Sequence, residues 1–323
     1  MLSKNRTYLL VIVLAIAVGA YLLLTYTQNK ERNFRTGLID FDTTLVNRIE
    51  IAPPSPAEKI ILLKDSDSWR VKKANNSYAA DIGSIKNLML QLDGSEIKNV
   101  AANTSSDWDK FKTTDVQGTR VRFLNNSKIL SDIILGKFEY IQPESQQQAN
   151  PYMRQPQGEM LTYARIAGED NVYTIDGMIS LGMGKKADDY RDKKVTSLTY
   201  DNLNELSFDY TDEKAFKLVK REGKWYIDQA EADSAITGKY LRSIINLAGK
   251  AFYNTEIQNE HHSSKLTILQ STGDIIEIKA FEIDTSSVVI TSSLNPTNSI
   301  LDKDKKLAEK LFVNQAYLIG NHK

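Results

Sequence analysis

The strongest constraint on what this chain can fold into is that one pattern occurs in it twice, with its parts in the same order. Near residue 46, Val46, Ile49 and Ile51 lead to Lys59-Ile60-Ile61-Leu62-Leu63-Lys64, then to the polar turn Asp65-Ser66-Asp67-Ser68, then to Trp69-Arg70-Val71. Near residue 203, Leu203, Leu206 and Phe208 lead to Ala215-Phe216-Lys217-Leu218-Val219-Lys220, then to Arg221-Glu222-Gly223-Lys224, then to Trp225-Tyr226-Ile227. Alternating apolar positions cut by short polar turns mark half-buried strands, because successive side chains of a strand point to opposite faces. Trp69 and Trp225 hold the same place in the two series, so they are read as structural anchors, one in each core, rather than as ligand platforms.

A helical stretch follows each tryptophan. Asp81 precedes one with Ile82, Ile85, Leu88, Met89 and Leu92 on one face, ending at Gly94; Asp233 precedes the other with Ile236, Tyr240, Leu241, Ile244, Ile245 and Ala248 on one face, ending at Gly249. Aspartate before the first turn and glycine past the last are the expected cap residues. A further hairpin then returns, Val121–Leu124 with Ile129–Leu135 against Leu266–Leu269 with Ile275–Ile278. Closing strands follow at Tyr163–Ile166 with Val172–Ile175, and at Val288–Ile290 with Ile300-Leu301. Two tandem, related α+β domains of antiparallel strands plus one main helix each are therefore expected, at 41–190 and 191–323, divided near Tyr190–Ser197.

Ahead of them, Tyr8–Tyr26 is an uncharged apolar run that meets the roughly 20 residues a bilayer-spanning helix needs. Lys4 and Arg6 before it and the small residues Ala17-Val18-Gly19-Ala20 also fit a cleaved signal peptide, but Leu22, Leu23 and Leu24 extend the run beyond the roughly 7–15 residues of a signal core. The expectation is an uncleaved transmembrane signal anchor at 1–27, a linker at 28–40, and a body outside the cytoplasm at a bacterial inner membrane. Lys30, Arg32 and Arg35 beyond the run offset the charges before it, so charge asymmetry does not set the orientation.

With 41 basic and 41 acidic residues the chain lacks the positive field that draws nucleic acids, and no nucleic-acid partner is expected. It has no cysteine, which removes disulfides, thiolate nucleophiles and cysteine-ligated zinc together. Of three histidines, His261 and His262 are neighbours whose side chains diverge along an extended chain, and His322 is far away, so no metal site is expected. Asp65-Ser66-Asp67-Ser68 lacks the glycine and closing glutamate of a calcium loop and is read as a turn. Gly182-Met183-Gly184-Lys185-Lys186 fails the phosphate-loop spacing, so neither a nucleotide nor any other cofactor is expected. No G-x-S-x-G elbow is present. Asp188, Asp189 and Asp192 cluster at the interdomain link, where an acidic run reads as hydrated surface unless two carboxylates face each other across a cleft. The Gln/Pro-rich stretch Glu139–Glu159 is expected to be irregular, and Tyr152, Met153 and Arg154 within it are residue types that favour protein interfaces, which makes them the candidate partner contact.

The N-terminal apolar run, Arg48-Ile49-Glu50-Ile51, the W-x-V of Trp69–Val71, Tyr190-Arg191-Asp192-Lys193 and the returning pattern that ends at Trp225 together resemble a bacterial family known only as domain of unknown function 4340. The resemblance implies a membrane-anchored protein associated with ABC-type transport or gliding-related systems, and it supplies no catalytic residues. The expected function is an accessory or scaffold protein, without a catalytic centre, that presents the duplicated module to a protein partner in the envelope. The alternative is a carboxylate-dependent envelope hydrolase with its site between the domains.

Overall fold

A computed structural model describes residues 37–66, 68–142, 158–183, 186–257 and 261–320. The expected anchor at Tyr8–Tyr26 lies outside the described residues; among those described, no helix is long and apolar enough to cross a membrane.

The first half forms β1 (Arg48–Ala52), β2 (Ile60–Asp65), β3 (Ser68–Lys73), β4 (Asn76–Ala79), helix α1 (Ile82–Asp93), β5 (Ile97–Ala102), β6 (Thr119–Asn125), β7 (Lys128–Ile141), β8 (Glu159–Ile166) and β9 (Val172–Asp176). The second forms β10 (Leu203–Tyr210), β11 (Phe216–Arg221), β12 (Lys224–Ile227), β13 (Ala230–Glu231), helix α2 (Ser234–Ser243), β14 (Ala251–Tyr253), β15 (Ser264–Gln270), β16 (Ile275–Glu282), β17 (Val288–Ser292) and β18 (Ser299–Asp302). Hydrogen bonds order the first nine strands β4-β3-β2-β1-β6-β7-β8-β9-β5 and the second nine β13-β12-β11-β10-β15-β16-β17-β18-β14. The two orders are the same strand for strand. The molecule is an α+β protein built from two antiparallel nine-stranded sheets, and the internal repeat extends through every strand of both.

In each half the strand that opens the repeat becomes an interior strand of its sheet. Ile49 pairs with Leu62 on one side and Phe123 on the other, and Leu206 pairs with Leu218 and Ile268; all six side chains are fully buried. The polar turns make this possible. Glu222 and Gly223 both have positive φ (50° and 83°), which gives the two-residue turn whose twist matches that of the strands Arg221 and Lys224 close.

Each helix packs its apolar face on its own sheet. Asp81 accepts the Gly83 N–H at 2.9 Å, and α1 buries Ile85, Leu88 and Leu92 in one core with Trp69. Asp233 accepts the N–H groups of Ala235 and Ile236, and α2 buries Thr237, Tyr240 and Leu241 in a second core with Trp225. The second helix is shorter than its apolar spacing predicts: it ends at Ser243, with Ile244 as its C-cap, and Gly249 is no cap. Gly249 instead lies against β18, where a Cβ would fall 2.1 Å from Ile300 Cγ2, so the glycine serves close approach. Two features gave no sequence signal. β5 and β14 return to the far edge of their sheets beside β9 and β18, and their mostly exposed or half-buried residues show no alternation. The short helices Lys306–Leu311 and Gln315–Ile319 close the second core with Leu311 and Leu318.

Trp69→Ala and Trp225→Ala are each expected to destabilise the protein by about 3–5 kcal/mol in chemical denaturation, as loss of a buried aromatic does. Gly249→Ala should cost about 1–3 kcal/mol through overpacking against Ile300. Wild-type stability in all three variants would show that these side chains are not packed as described.

Candidate functional site

The best-defined cluster of polar groups lies where the two repeats meet. Asp192 donates its N–H to the Ala79 carbonyl at 2.9 Å, and Asp81 donates to the Tyr190 carbonyl at 2.8 Å, so the connecting segment runs alongside the end of β4. From the second repeat, Thr297 Oγ1 accepts the Ala79 N–H at 2.9 Å. Asn298 Nδ2 donates to the carbonyls of Ala79 and Asp192 at 3.0 and 2.8 Å.

Arg191 sits inside this frame and is 1% exposed. Its guanidinium carbon is 3.7 Å from the ring centroid of Tyr78 on β4 and 3.7 Å from that of Phe252 on β14. Its Nε donates to Asn298 Oδ1 at 3.1 Å, and its Nη1 donates to Asn254 Oδ1 at 2.6 Å and Asp188 Oδ1 at 3.0 Å. Burial pulls the guanidinium below its ordinary basicity, and the Asp188 carboxylate works against that pull. Burial pushes the Asp188 carboxyl up, but hydrogen bonds from Lys73 (2.7 Å) and Arg191 outweigh it and hold the group below its ordinary value. The planar cation thus clamps one aromatic ring from each repeat, an arrangement that a lysine ammonium could not reproduce.

A second polar network covers one face of the first sheet. Asp132 accepts from Arg120 at 2.7 Å through both oxygens and from Arg122 at 3.0 Å; Arg122 lies 3.7 Å from Glu50, which also pairs with Lys59 and Arg48. Arg165 is buried on the ring of Trp108, donates to the Thr113 carbonyl at 3.0 Å and approaches Asp115 at 3.4 Å. Burial raises the Glu50 and Asp132 carboxyls, yet their cationic partners hold both below the ordinary range. Carboxylates held by several cations from neighbouring strands suit a cross-strand ladder.

One cavity of ≈ 670 Å³ opens in the second repeat beside β14 and β18. Lys250, Lys303, Lys306 and Lys310 surround it, and Asp302 on its wall accepts the N–H groups of Leu307 and Ala308.

The residues singled out by sequence fall as follows. Tyr152, Met153 and Arg154 lie outside the described residues. The two ends of the stretch expected to be irregular are strand, since β7 continues to Ile141 and β8 begins at Glu159, with Tyr140 opposite Met160. Trp69 and Trp225 are buried. Asp188 is ion-paired to both repeats' junction instead of merely hydrated, Asp189 accepts the Lys186 N–H and Asp192 accepts the Lys194 N–H. His262 Nε2 is 3.9 Å from Asp209, and among the described residues no group of three or more His, Cys, Asp or Glu converges on a metal position. Gly184 and Lys185 lie outside the described residues. From sequence, Arg191 stands out only as part of Tyr190-Arg191-Asp192-Lys193, one of the motifs of the family resemblance, with no role attached to its side chain.

The chain is similar, over residues 154–266, to the family described as domain of unknown function DUF4340. That match runs from the end of the first repeat through the connecting segment and Arg191 into β15. No curated protein and no solved structure matches the chain.

Arg191→Met should destabilise the protein by about 3–5 kcal/mol, because the carboxylate and amide acceptors lose their cation in a buried place, and Arg191→Lys should recover only part of that. Asp188 has a depressed native pKa, so its contribution is present above the ordinary value of 3.8 and lost as pH falls through the lower native value. Denaturation curves of Asp188→Asn should therefore show less loss of stability on acidification below about pH 4 than the wild type. Parallel pH profiles for the two proteins would remove Asp188 from the junction's energetics.

Proposed function

We propose that the protein is a membrane-anchored accessory or scaffold protein. In this reading residues 1–27 are a signal anchor and 28–40 a linker, and 41–190 and 191–323 are two related modules held outside the cytoplasm at a bacterial inner membrane. Its partner is a protein of the envelope, in a membrane system of the ABC-transport or gliding type, and it takes neither nucleic acid nor nucleotide. The observation that carries this reading is Arg191: the side chain that would be the natural centre of an interdomain site is buried between Tyr78 and Phe252 and holds the repeats together. Of the acidic residues in the connecting segment, Asp188 is engaged by Lys73 and Arg191, and Asp189 and Asp192 by backbone N–H groups. Function in such a body lies on its surfaces, with Tyr152, Met153 and Arg154 as the proposed contact.

Reporter fusions after Asp40 test the topology, with alkaline phosphatase expected active and a cytoplasmic reporter inactive. Gentle detergent extraction of the full-length protein should recover an envelope partner, and deletion of 143–157 should weaken that recovery without lowering thermal stability. Hydrolysis of envelope glycans by the purified protein, abolished by Asp188→Asn in a variant that stays folded, would replace the scaffold reading with the hydrolase.

A further inference from the structure

The two repeats give each other an internal control. Asp81 and Asp233 cap equivalent helices, and the positions that follow are buried in register: Ile85 with Thr237, Leu88 with Tyr240, Leu92 with Ile244. Nine residues beyond each cap the helix points outward. There the second repeat carries Arg242, an exposed cation at the last turn of its helix, while the first carries Leu90, which is 67% exposed. The same frame thus presents a solvated charge in one copy and a bare leucine in the other.

A short helix comes close to the residue that follows Leu90. The short helix Ile179–Met183 packs Ile179 and Met183 into the core that holds Leu88 and Leu92, and a Cβ on its Gly182 would lie 3.8 Å from Gln91 Oε1. Leu181, next to Gly182, is 63% exposed, and its N–H bonds the carbonyl of Met178, itself 49% exposed. Gly177 donates to the Met160 carbonyl at 2.7 Å, which brings the exposed Met160 and its cross-strand partner Tyr140 to the same end of the sheet. Scattered exposed leucines are ordinary, but exposed apolar side chains gathered at one end of a module mark an interaction surface.

What faces that surface follows from where the chain emerges. Gly37 bridges to Glu96, and Leu38 donates to the Ser95 carbonyl just past α1, while Gly94 still bonds the Leu90 carbonyl at 2.9 Å. The N-terminal segment therefore joins the body within about one helical turn of Leu90. Ten residues, 27–36, connect Tyr26 to Gly37, and these eleven steps span at most about 40 Å. Gly37 and Leu38 thus lie at the end of the first repeat that carries the C-terminus of α1.

We infer that the surface formed by Leu90, Leu181, Met178 and Met160 rests on the lipid bilayer, at the boundary of headgroups and acyl chains; this rests on the reading of Tyr8–Tyr26 as a membrane anchor. An amphipathic surface of leucine and methionine, with Tyr140 at its rim, suits that boundary, where apolar side chains enter the acyl region and aromatic hydroxyls stay hydrated. Tethering raises the local lipid concentration at this face, so a patch of modest size suffices to stay in contact. The second repeat, with Arg242 in the place of Leu90, is held away from the bilayer.

The natural absence of cysteine makes the test direct. Full-length protein is reconstituted in phosphatidylcholine vesicles with one cysteine at a time, Leu90→Cys, Leu181→Cys, Met178→Cys, Arg242→Cys or Gly19→Cys, each labelled with an environment-sensitive fluorophore. Labels at 90, 181 and 178 should shift to the blue and be quenched by lipids bearing a spin label near the headgroup, the label at 242 should stay aqueous, and the label at 19 should be quenched by deep spin labels. Quenching at 19 with aqueous labels at 90, 181 and 178 overturns the inference and leaves the anchor standing. An unquenched label at 19 defeats the anchor reading, whatever the others show. A blue shift at 90, 181 and 178 without lipid quenching means that protein, either the 143–157 segment or a second copy, covers the face, and also overturns the lipid assignment. Near-wild-type circular dichroism in each labelled protein shows that these exposed positions accept the change.

Discussion

Taking a guanidinium out of water costs several kcal/mol unless something replaces its hydration, and the junction of this molecule meets most of that demand, leaving Nη2 of Arg191 without a hydrogen-bond partner among the described residues. Arg191 receives a ring face from Tyr78 of the first repeat and one from Phe252 of the second, with acceptors from Asp188, Asn254 and Asn298 around its edge. No single repeat supplies enough of these groups. The contact is also head-to-tail: it joins the β4 edge of the first sheet to the β14 edge of the second, and these are not equivalent strands in the duplicated order. Thr297 and Asn298 occupy the N–H and C=O of Ala79, so part of an edge that would otherwise offer unpaired backbone is closed off by the partner module.

Much of the fold could be read from the chain because the duplicated elements carry strong local signals. Alternation through Ile60–Leu63 and Phe216–Leu218, the turn residues Glu222-Gly223 and the capping aspartates 81 and 233 each act within a few residues, and each has the predicted place. What escaped depends on distant partners. β5 is a strand because β9 offers it a ladder some 75 residues further on, as with Ile97 and Ile175, and its own residues do not alternate. Ile245 and Ala248 continue the apolar spacing past the end of α2, whereas the backbone turns so that the Leu247 carbonyl can accept the N–H groups of Val195 and Thr196. Arg191 could not have been identified, since its meaning lies in residues 78, 252, 254 and 298 together.

Duplication kept the frame and let the surfaces diverge. The first sheet bears an extended ladder of arginines and carboxylates from Glu50 to Asp132, while the second carries smaller pairs such as Glu205 with Lys217 and Lys265 with Glu277. The first core is closed by the short helix Ile179–Met183, and the second by two helices near the end of the described chain. The strand order is thus common to both repeats, while the charged ladders and the helices that close each core differ.

The position of Asn298 has a consequence for how the molecule is made. A ribosome delivers the chain from its N-terminus, and the first repeat has all its strands once residue 176 is available. Arg191 emerges soon after, but the asparagines and the phenylalanine that enclose it come only with residues 252 to 298. Until then Arg191 has Tyr78 and Asp188 beside it but lacks Phe252, Asn254 and Asn298. The junction therefore cannot close around Arg191 until residue 298 has been made, long after the first sheet has all its strands.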